Sequence, residues 1–185
     1  FGTGDFTIEF WLYLNSTSGT PMIYDGRPSL TNGAQPTIYM NGAVITYYTN
    51  AANRITGSSL STSTWYHVAL CRVASQTRMF VNGTQVGATY ADTTAYTNTA
   101  GRPVYGVDGN SGNTNYFNGY IDDLRVSKGI GRYAYNFTPP TAALPDIGGT
   151  VTLTADPYYE YTTLLLPGNG TNGAQNNTFL DSSTN

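Results

Sequence analysis

The chain has 185 residues, of which only 10% are charged, and its formal net charge is -3. Thr, Asn, Gly and Tyr abound while strong helix formers are scarce, so the composition predicts a protein built almost wholly of β-strands. The charge offers no attraction for nucleic acid phosphates or anionic lipid, and no apolar run approaches the ~20 residues that span a bilayer. We therefore expect neither nucleic acid binding nor membrane insertion.

The first predicted strand covers residues 6–14, where apolar and polar side chains alternate with the period of two that is typical of a sheet. Shorter strands are predicted over residues 21–24, 37–40, 43–48 and 53–56, with an Asn41-Gly42 turn between the third and fourth strands. The chain starts at Phe1, almost inside a strand, so we expect a further segment upstream.

The next stretch is apolar or aromatic on both faces over residues 65–73, which predicts a central strand covered on both sides. Asn82-Gly83 suits the two positive-φ positions of a type I′ turn, so a tight hairpin is predicted between residues 77–81 and 84–90. That turn sets the register, with Val81 opposite Thr84 and Met79 opposite Val86. One face of the hairpin is then apolar, with Met79, Val81 and Val86, and the other carries Arg78, Phe80 and Gln85.

Two more strands are predicted over residues 104–107 and 117–127, separated by a loop rich in Gly and Asn. From residue 137 the chain carries prolines and glycines that cannot continue a central strand, which indicates an exit linker. Residues 150–154 and 158–166 regain strand character. We predict three units: a β-sandwich over residues 1–145, a linker with a short strand over residues 146–162, and a separate tail over residues 163–185.

Strands at this short spacing favour a two-sheet antiparallel β-sandwich or jelly roll. A propeller would need a blade repeat of about 40 to 50 residues, which the sequence does not show.

Three segments carry a family resemblance: DFTIEFWLYL over residues 5–14, TWYHVALCRVASQTRMFVNGTQVG over 64–87, and FNGYIDDLRVSKGIGRY followed by NFTPP over 117–140. In this order and spacing they resemble the concanavalin A-like, laminin G-like jelly-roll domains that are repeated in phage tail-fibre and virion surface proteins. The resemblance covers residues 1–145. It implies a place on a virion surface or in another extracellular fibre.

The tail over residues 163–185 resembles the opening of such a domain, although it lies at the opposite end of the chain. Either a further repeat starts here, or the tail supplies a strand to this domain or to a neighbour. Both alternatives imply self-association in a fibre, virion or filament, since donated strands satisfy open sheet edges.

The residue types needed for catalysis are sparse. The only histidine, His67, and the only cysteine, Cys71, lie within one predicted strand, which favours structural roles, and no GxSxG motif frames a serine. The glutamates, Glu9 and Glu160, are far apart in sequence. Adjacent residues of a strand face opposite ways, so Asp122-Asp123 suits structural work, with one carboxylate bonded to loop backbone or to an arginine such as Arg125 or Arg72. We expect a protein that is not an enzyme, with a divergent glycosidase as the third hypothesis.

A binding role is the first hypothesis, because abundant aromatic rings offer stacking surfaces for sugars while Asn and Asp bond to hydroxyl groups. The loops over residues 25–35 and 108–116 are the candidate rim, and a glycan or a host receptor is the expected ligand. The resemblance to laminin G-like domains implies calcium as the candidate metal, with Asp25 and Asp108 as its ligands. The second hypothesis is a purely architectural capsid-decoration or filament subunit whose aromatic residues fill the core and the subunit contacts. The candidate carbohydrate-binding residues are Asp25, Arg27, Asp108, Asn110, Asn113 and Tyr116.

Overall fold

Two antiparallel sheets face each other in a computed structural model that describes residues 1–144 and the backbone of residues 162–166. The larger sheet has six strands in the order β11-β10-β1-β6-β7-β8, and the smaller has five in the order β5-β4-β3-β2-β9. The predicted all-β sandwich is therefore confirmed. Within the described residues, no helix is long and apolar enough to cross a membrane. The strands are β1 (Phe6–Leu14), β2 (Met22–Asp25), β3 (Thr37–Asn41), β4 (Val44–Thr49), β5 (Ala52–Ser59), β6 (Trp65–Val73), β7 (Gln76–Val81), β8 (Thr84–Ala91), β9 (Val104–Tyr105), β10 (Gly119–Lys128) and β11 (Thr162–Leu166).

The core between the sheets follows from alternation along the strands. Alternate residues of β1, starting at Phe6, are fully buried, and they pack in one cluster with the inward residues of β3 and β4. Apolar area removed from water on both inner faces is the main force that holds the two layers together. The principal inward residues are Phe6, Ile8, Phe10, Leu12, Leu14, Ile38, Met40, Ile45 and Tyr47.

The β7–β8 hairpin has the predicted register. Val81 pairs with Thr84 and Met79 with Val86, and the turn residues Asn82 and Gly83 have φ of 49° and 75°. The other predicted turn was placed one residue too early. Asn41 pairs with Val44, so Gly42 and Ala43 make that turn, and Gly42 takes the positive φ.

The outer face of the six-stranded sheet is covered by residues 129–144, which we call the strap. Ala69, Cys71 and Phe80 form a second buried cluster there, beneath the stacked rings of Tyr133 and Phe137, whose centroids lie 3.6 Å apart. Strand β6 is thus covered on both sides, as predicted. Phe137 was expected to open an exit linker, but its ring packs on the sheet, because the outer apolar residues must also be shielded from water.

A buried ionic cluster lies under the strap. The Glu9 carboxylate, fully buried, accepts hydrogen bonds from Arg125 at 2.7 Å and from the Tyr133 hydroxyl at 2.8 Å, and His67 Nε2 lies 3.3 Å away. Burial alone would raise the pKa of Glu9, but the His67 hydrogen bond and the Arg125 charge lower it to about 2. This packing agrees with the structural role expected for His67.

A bulge in β10 brings Arg125 to Glu9. The register shifts between Glu9 and Trp11, and Asp123 takes a φ of 48°. Asp122 therefore faces the same way as Trp11, and Arg125 the same way as Glu9. Arg125 bonds Glu9, and Arg72 Nε lies 3.9 Å from Asp92 Oδ2, while the predicted bonding of Asp122 or Asp123 to loop backbone or to an arginine stays a prediction.

Strand β11 extends the six-stranded sheet by pairing with β10, with Leu124 opposite Leu166 and Val126 opposite Leu164. This pairing agrees with the alternative in which the tail supplies a strand to its own domain. Residues 145–161 and 167–185, including the predicted strand over 150–154 and Glu160, lie outside the described residues. The three-unit division and the further repeat stay predictions.

Candidate functional site

A buried ionic network joins two loops, residues 26–36 between β2 and β3 and residues 106–118 between β9 and β10, which overlap the predicted rim segments 25–35 and 108–116. Asp25 ends β2, and its carboxylate accepts two hydrogen bonds from the Arg27 guanidinium, at 2.8 and 2.9 Å. The same guanidinium donates to Asp108 Oδ1 at 3.0 Å. Arg27 thereby ties the first loop to the second, 81 residues later in the chain.

Charge pairing stabilises the ionised forms of this network. Burial would raise the pKa of Asp25, but hydrogen bonds from Arg27 lower it below its usual value. Burial likewise would lower the pKa of Arg27, and the bonds to Asp25 raise it. A buried charge left without its partner is strongly unfavourable, so the three side chains hold their geometry together.

Amide groups complete the connection between the loops. Asn110 Nδ2 donates to the carbonyl oxygens of Pro28 at 2.7 Å and Thr31 at 2.9 Å. The Asp108 carboxylate accepts the backbone N–H groups of Asn110 and Ser111, which turns the second loop tightly around it.

The structure separates the predicted site residues into two groups. Asp25, Arg27, Asp108 and Asn110 are brought together but are buried, so they support the loops from within. Asn113 is exposed, and its N–H donates to the Asp108 carbonyl oxygen at 3.0 Å. The Tyr116 side chain is 70% exposed at the surface of the second loop. A direct contact with a ligand is therefore open to Asn113 and Tyr116.

Calcium does not fit between Asp25 and Asp108. The guanidinium of Arg27 already bonds both carboxylates, and it supplies the positive charge that an ion would bring. Residues 1–144 also contain no group of three or more His, Cys, Asp or Glu that could hold a metal ion.

An edge cleft opens beside this network, between β9 of the smaller sheet and β10 of the larger one. Its volume is about 440 Å³. Arg102 forms part of its wall, and its guanidinium donates to the carbonyl oxygens of Arg27 and Gly109, both at 2.6 Å. The buried network therefore fixes this wall of the cleft. Its lining residues are Phe1, Tyr24, Gly26, Pro36, Thr97, Asn98, Thr99, Arg102, Pro103, Tyr105, Val126 and Lys128.

The chemistry of the edge cleft suits a polar ligand with an apolar face. The partly buried aromatic rings of Phe1 and Tyr105 lie beside an amide, threonine hydroxyls and two cations, and none of the lining residues is Asp or Glu. Sequence reasoning missed this cleft, because Arg102 and Lys128 belong to distant segments that only the packing of the two sheets brings together.

A laminin G-like family model described as the concanavalin A-like lectin/glucanases superfamily matches residues 1–130. A search of curated proteins found no match.

Solved structures align with this chain at low sequence identity. A candidate carbohydrate-binding protein from Bacteroides ovatus ATCC 8483 aligns with a TM-score of 0.71 and 17% identity, over 98% of this chain and 50% of that one. Domains LG4-5 of the mouse laminin alpha1 chain align with a TM-score of 0.48 and 14% identity, over 77% and 43%. An alginate lyase of polysaccharide lyase family 7 aligns with a TM-score of 0.44 and 13% identity, over 69% and 61%. The chain spans about half the length of the first of these proteins, and the likeness concerns the fold alone.

Proposed function

Because this chain belongs to the concanavalin A-like lectin/glucanases superfamily, we propose that it is a non-catalytic carbohydrate-binding module that acts as an adhesive unit of a virion surface or an extracellular fibre. The fold by itself hosts both binding proteins and enzymes, so the argument rests on the site.

The observation that carries the proposal is the make-up of the edge cleft. The partly buried rings of Phe1 and Tyr105 provide apolar area for the face of a pyranose ring, and Asn98 with its neighbouring threonines can exchange hydrogen bonds with hydroxyl groups. Arg102 and Lys128 add positive charge that complements carboxylated or sulfated sugars. The buried Asp25-Arg27-Asp108 network keeps the adjoining loops rigid, which lowers the entropy lost on binding.

The positions of the carboxylate side chains favour glycan binding over glycoside hydrolysis. Glycosidases place two carboxyl groups about 5 to 9 Å apart across the substrate cleft. None of the residues that line the edge cleft carries a carboxylate side chain, and Glu9 lies buried under the strap, where Arg125 and Tyr133 bond it. Weak single sites become effective when many copies act together on one fibre, which fits an adhesive role.

A glycan array followed by calorimetric titration of the bound glycans tests the proposal. Asn98 and Lys128 line the cleft with exposed side chains, so Asn98→Ala and Lys128→Ala should leave the fold intact. We expect each to weaken binding by about tenfold, the effect of one lost hydrogen bond to a charged or polar group. Tyr116→Ala tests the adjoining rim loop, and Tyr135→Ala is the control, because Tyr135 is 82% exposed and does not line the cleft.

Two results would contradict the proposal. The first is that the chain binds none of the glycans, which would favour the architectural subunit. The second is that Asn98→Ala, Lys128→Ala and Tyr116→Ala all bind as tightly as the wild type and the control.

A further inference from the structure

The outer face of the six-stranded sheet carries an aromatic row beyond the end of the strap. Tyr13 of β1 pairs with Tyr120 of β10 on one side and with Trp65 of β6 on the other, so the three side chains share one face of three adjacent strands. Their ring centroids are 5.7 Å and 5.4 Å apart.

Two of these rings are open to solvent. Trp65 is 43% exposed and Tyr120 is 59% exposed, whereas the aromatic residues on the inner face of β1, such as Phe6 and Phe10, are fully buried. Large exposed rings grouped on one surface are typical of an interaction site, since folding gains little from apolar area that stays wet.

A groove of about 620 Å³ adjoins the row. Trp11 and Trp65 form its aromatic side, the strap residues Pro139 and Pro140 form a wall, and the Asp122 carboxylate lies on the same face as Trp11. The bulge in β10 produces this arrangement, because it lets Asp122 face outward here while Arg125 still faces Glu9 further along.

We propose that this groove and aromatic row form a second carbohydrate-binding surface, which takes an extended, neutral polysaccharide. This goes beyond the proposed function, which needs the edge cleft alone. Rings at the spacing of adjacent strands offer a succession of apolar surfaces, about one per sugar unit, and their planes are tilted by 54° and 56° to one another, which suits a glycan chain whose successive rings are also turned.

The charge of the groove argues for a neutral glycan. Its lining residues are Trp11, Trp65, Asp122, Asp123, Pro139, Pro140, Thr141, Ala142 and Ala143, none of which is a cation. The Asp122 carboxylate can accept hydrogen bonds from sugar hydroxyl groups, and its negative charge repels uronic acids or sulfated sugars. The edge cleft has the opposite character, with Arg102 and Lys128 and no acidic side chain in its lining.

The two surfaces are far enough apart to act independently. Lys128 in the edge cleft and Tyr120 in the aromatic row lie at opposite ends of β10, which at about 3.3 Å per residue places them roughly 26 Å apart. One domain can therefore hold two glycan chains, or two stretches of one chain, at once.

Affinity electrophoresis of the full chain provides the test. Native gels contain a neutral β-glucan such as hydroxyethylcellulose, a neutral glucomannan, or the acidic polygalacturonate. We expect a neutral polysaccharide to retard the wild type, and Tyr120→Ala to weaken that binding at least about tenfold. Tyr135→Ala is the matched control, since both tyrosines are largely exposed but Tyr135 lies outside the row.

Tryptophan emission identifies which surface is occupied. The chain has two tryptophans, and both line this groove, so a bound neutral polysaccharide should shift or quench their emission. Binding in the edge cleft should leave the emission unchanged. Trp65→Phe keeps a ring in the row and should retain part of the affinity, which separates loss of stacking from loss of folding.

Three results would overturn the inference. The first is that neither neutral polysaccharide retards the wild type, and the second is that Tyr120→Ala binds as tightly as the wild type. The third is that Lys128→Ala loses the retardation while Tyr120→Ala keeps it, which would assign the neutral glycan to the edge cleft. The proposed function fails by a different result, because its test depends on the variants Asn98→Ala and Lys128→Ala of the edge cleft. That failure would leave the tryptophan response to a neutral polysaccharide intact.

Discussion

The strap and the β7–β8 hairpin meet at Gly83, and Gly83→Ala tests how much that contact contributes to stability. Gly83 has a φ of 75°, and a Cβ atom at this position would overlap the carbonyl oxygen of Phe137. Alanine in the left-handed region costs roughly 1–2 kcal/mol. Displacement of the strap would also break the hydrogen bond from Phe137 N to Gly83 O, 2.9 Å long, for about 1 kcal/mol, and loosen the packing of the Phe137 ring. We expect Gly83→Ala to lower the free energy of unfolding by about 3–5 kcal/mol.

Gly19→Ala is the matched control, because Gly19 has a φ of 76° but no atom within 4 Å of the added Cβ. It should show the conformational cost alone, roughly 1–2 kcal/mol. Urea unfolding followed by circular dichroism measures both values. Equal losses in the two variants would refute the reasoning, because the strap would then contribute nothing at this contact.

Three further predictions concern buried groups. The pKa of Glu9 is lowered from 4.5 to about 2, so its carboxylate should stabilise the fold by about 3 kcal/mol above pH 4.5, and this contribution should disappear as the pH falls toward 2. The difference in the free energy of urea unfolding between the wild type and Glu9→Gln should therefore narrow over that range. A constant difference would contradict this prediction. Burial raises the pKa of the Cys71 thiol to about 12, so a disulfide reagent at pH 8 should label the thiol only as the protein unfolds. Immediate labelling of the native protein would show that the strap does not cover Cys71. Arg27→Met leaves the buried Asp108 without its cation and should lower the free energy of unfolding by about 3 kcal/mol or more, measured by thermal unfolding. The control Arg78→Met loses one long hydrogen bond to a carbonyl at 3.5 Å and should lower it by less than about 1 kcal/mol. Similar losses in the two variants would mean that the network adds no stability.

Local signals in the sequence predicted most strands and the hairpin register. Asn82-Gly83 was sufficient, because a two-residue turn with two positive φ angles leaves only one way to pair the flanking residues. The other Asn-Gly pair was misread by one residue, since Gly42 also tolerates the first turn position and the strand pairing decided between the two. The bulge at Asp123 gave no signal, because it depends on the partner strand β1.

The candidate site shows the same division. The sequence indicated contact with a ligand for Asp25, Arg27, Asp108 and Asn110, whereas the structure brings these residues together and buries them. Burial depends on which chain segments pass over a residue, and neither loop carries that information alone. The aromatic row of Tyr13, Trp65 and Tyr120 went unnoticed, because its members come from three separate strands.

By itself, the sequence determined the fold class, the alternation of inward and outward residues and the geometry of the β7–β8 turn, because these depend on backbone angles and on neighbours close along the chain. Tertiary structure alone decided the partners of Arg27 and Arg125, the cover that the strap gives to the outer sheet, and the clefts at the sheet edge and beside the aromatic row. Those features join groups far apart in the chain, 81 residues for Arg27 with Asp108 and 116 for Arg125 with Glu9. Such pairs arise only when distant chain segments pack together and exclude water, which leaves each buried charge and each apolar face to the partner that the packing places beside it.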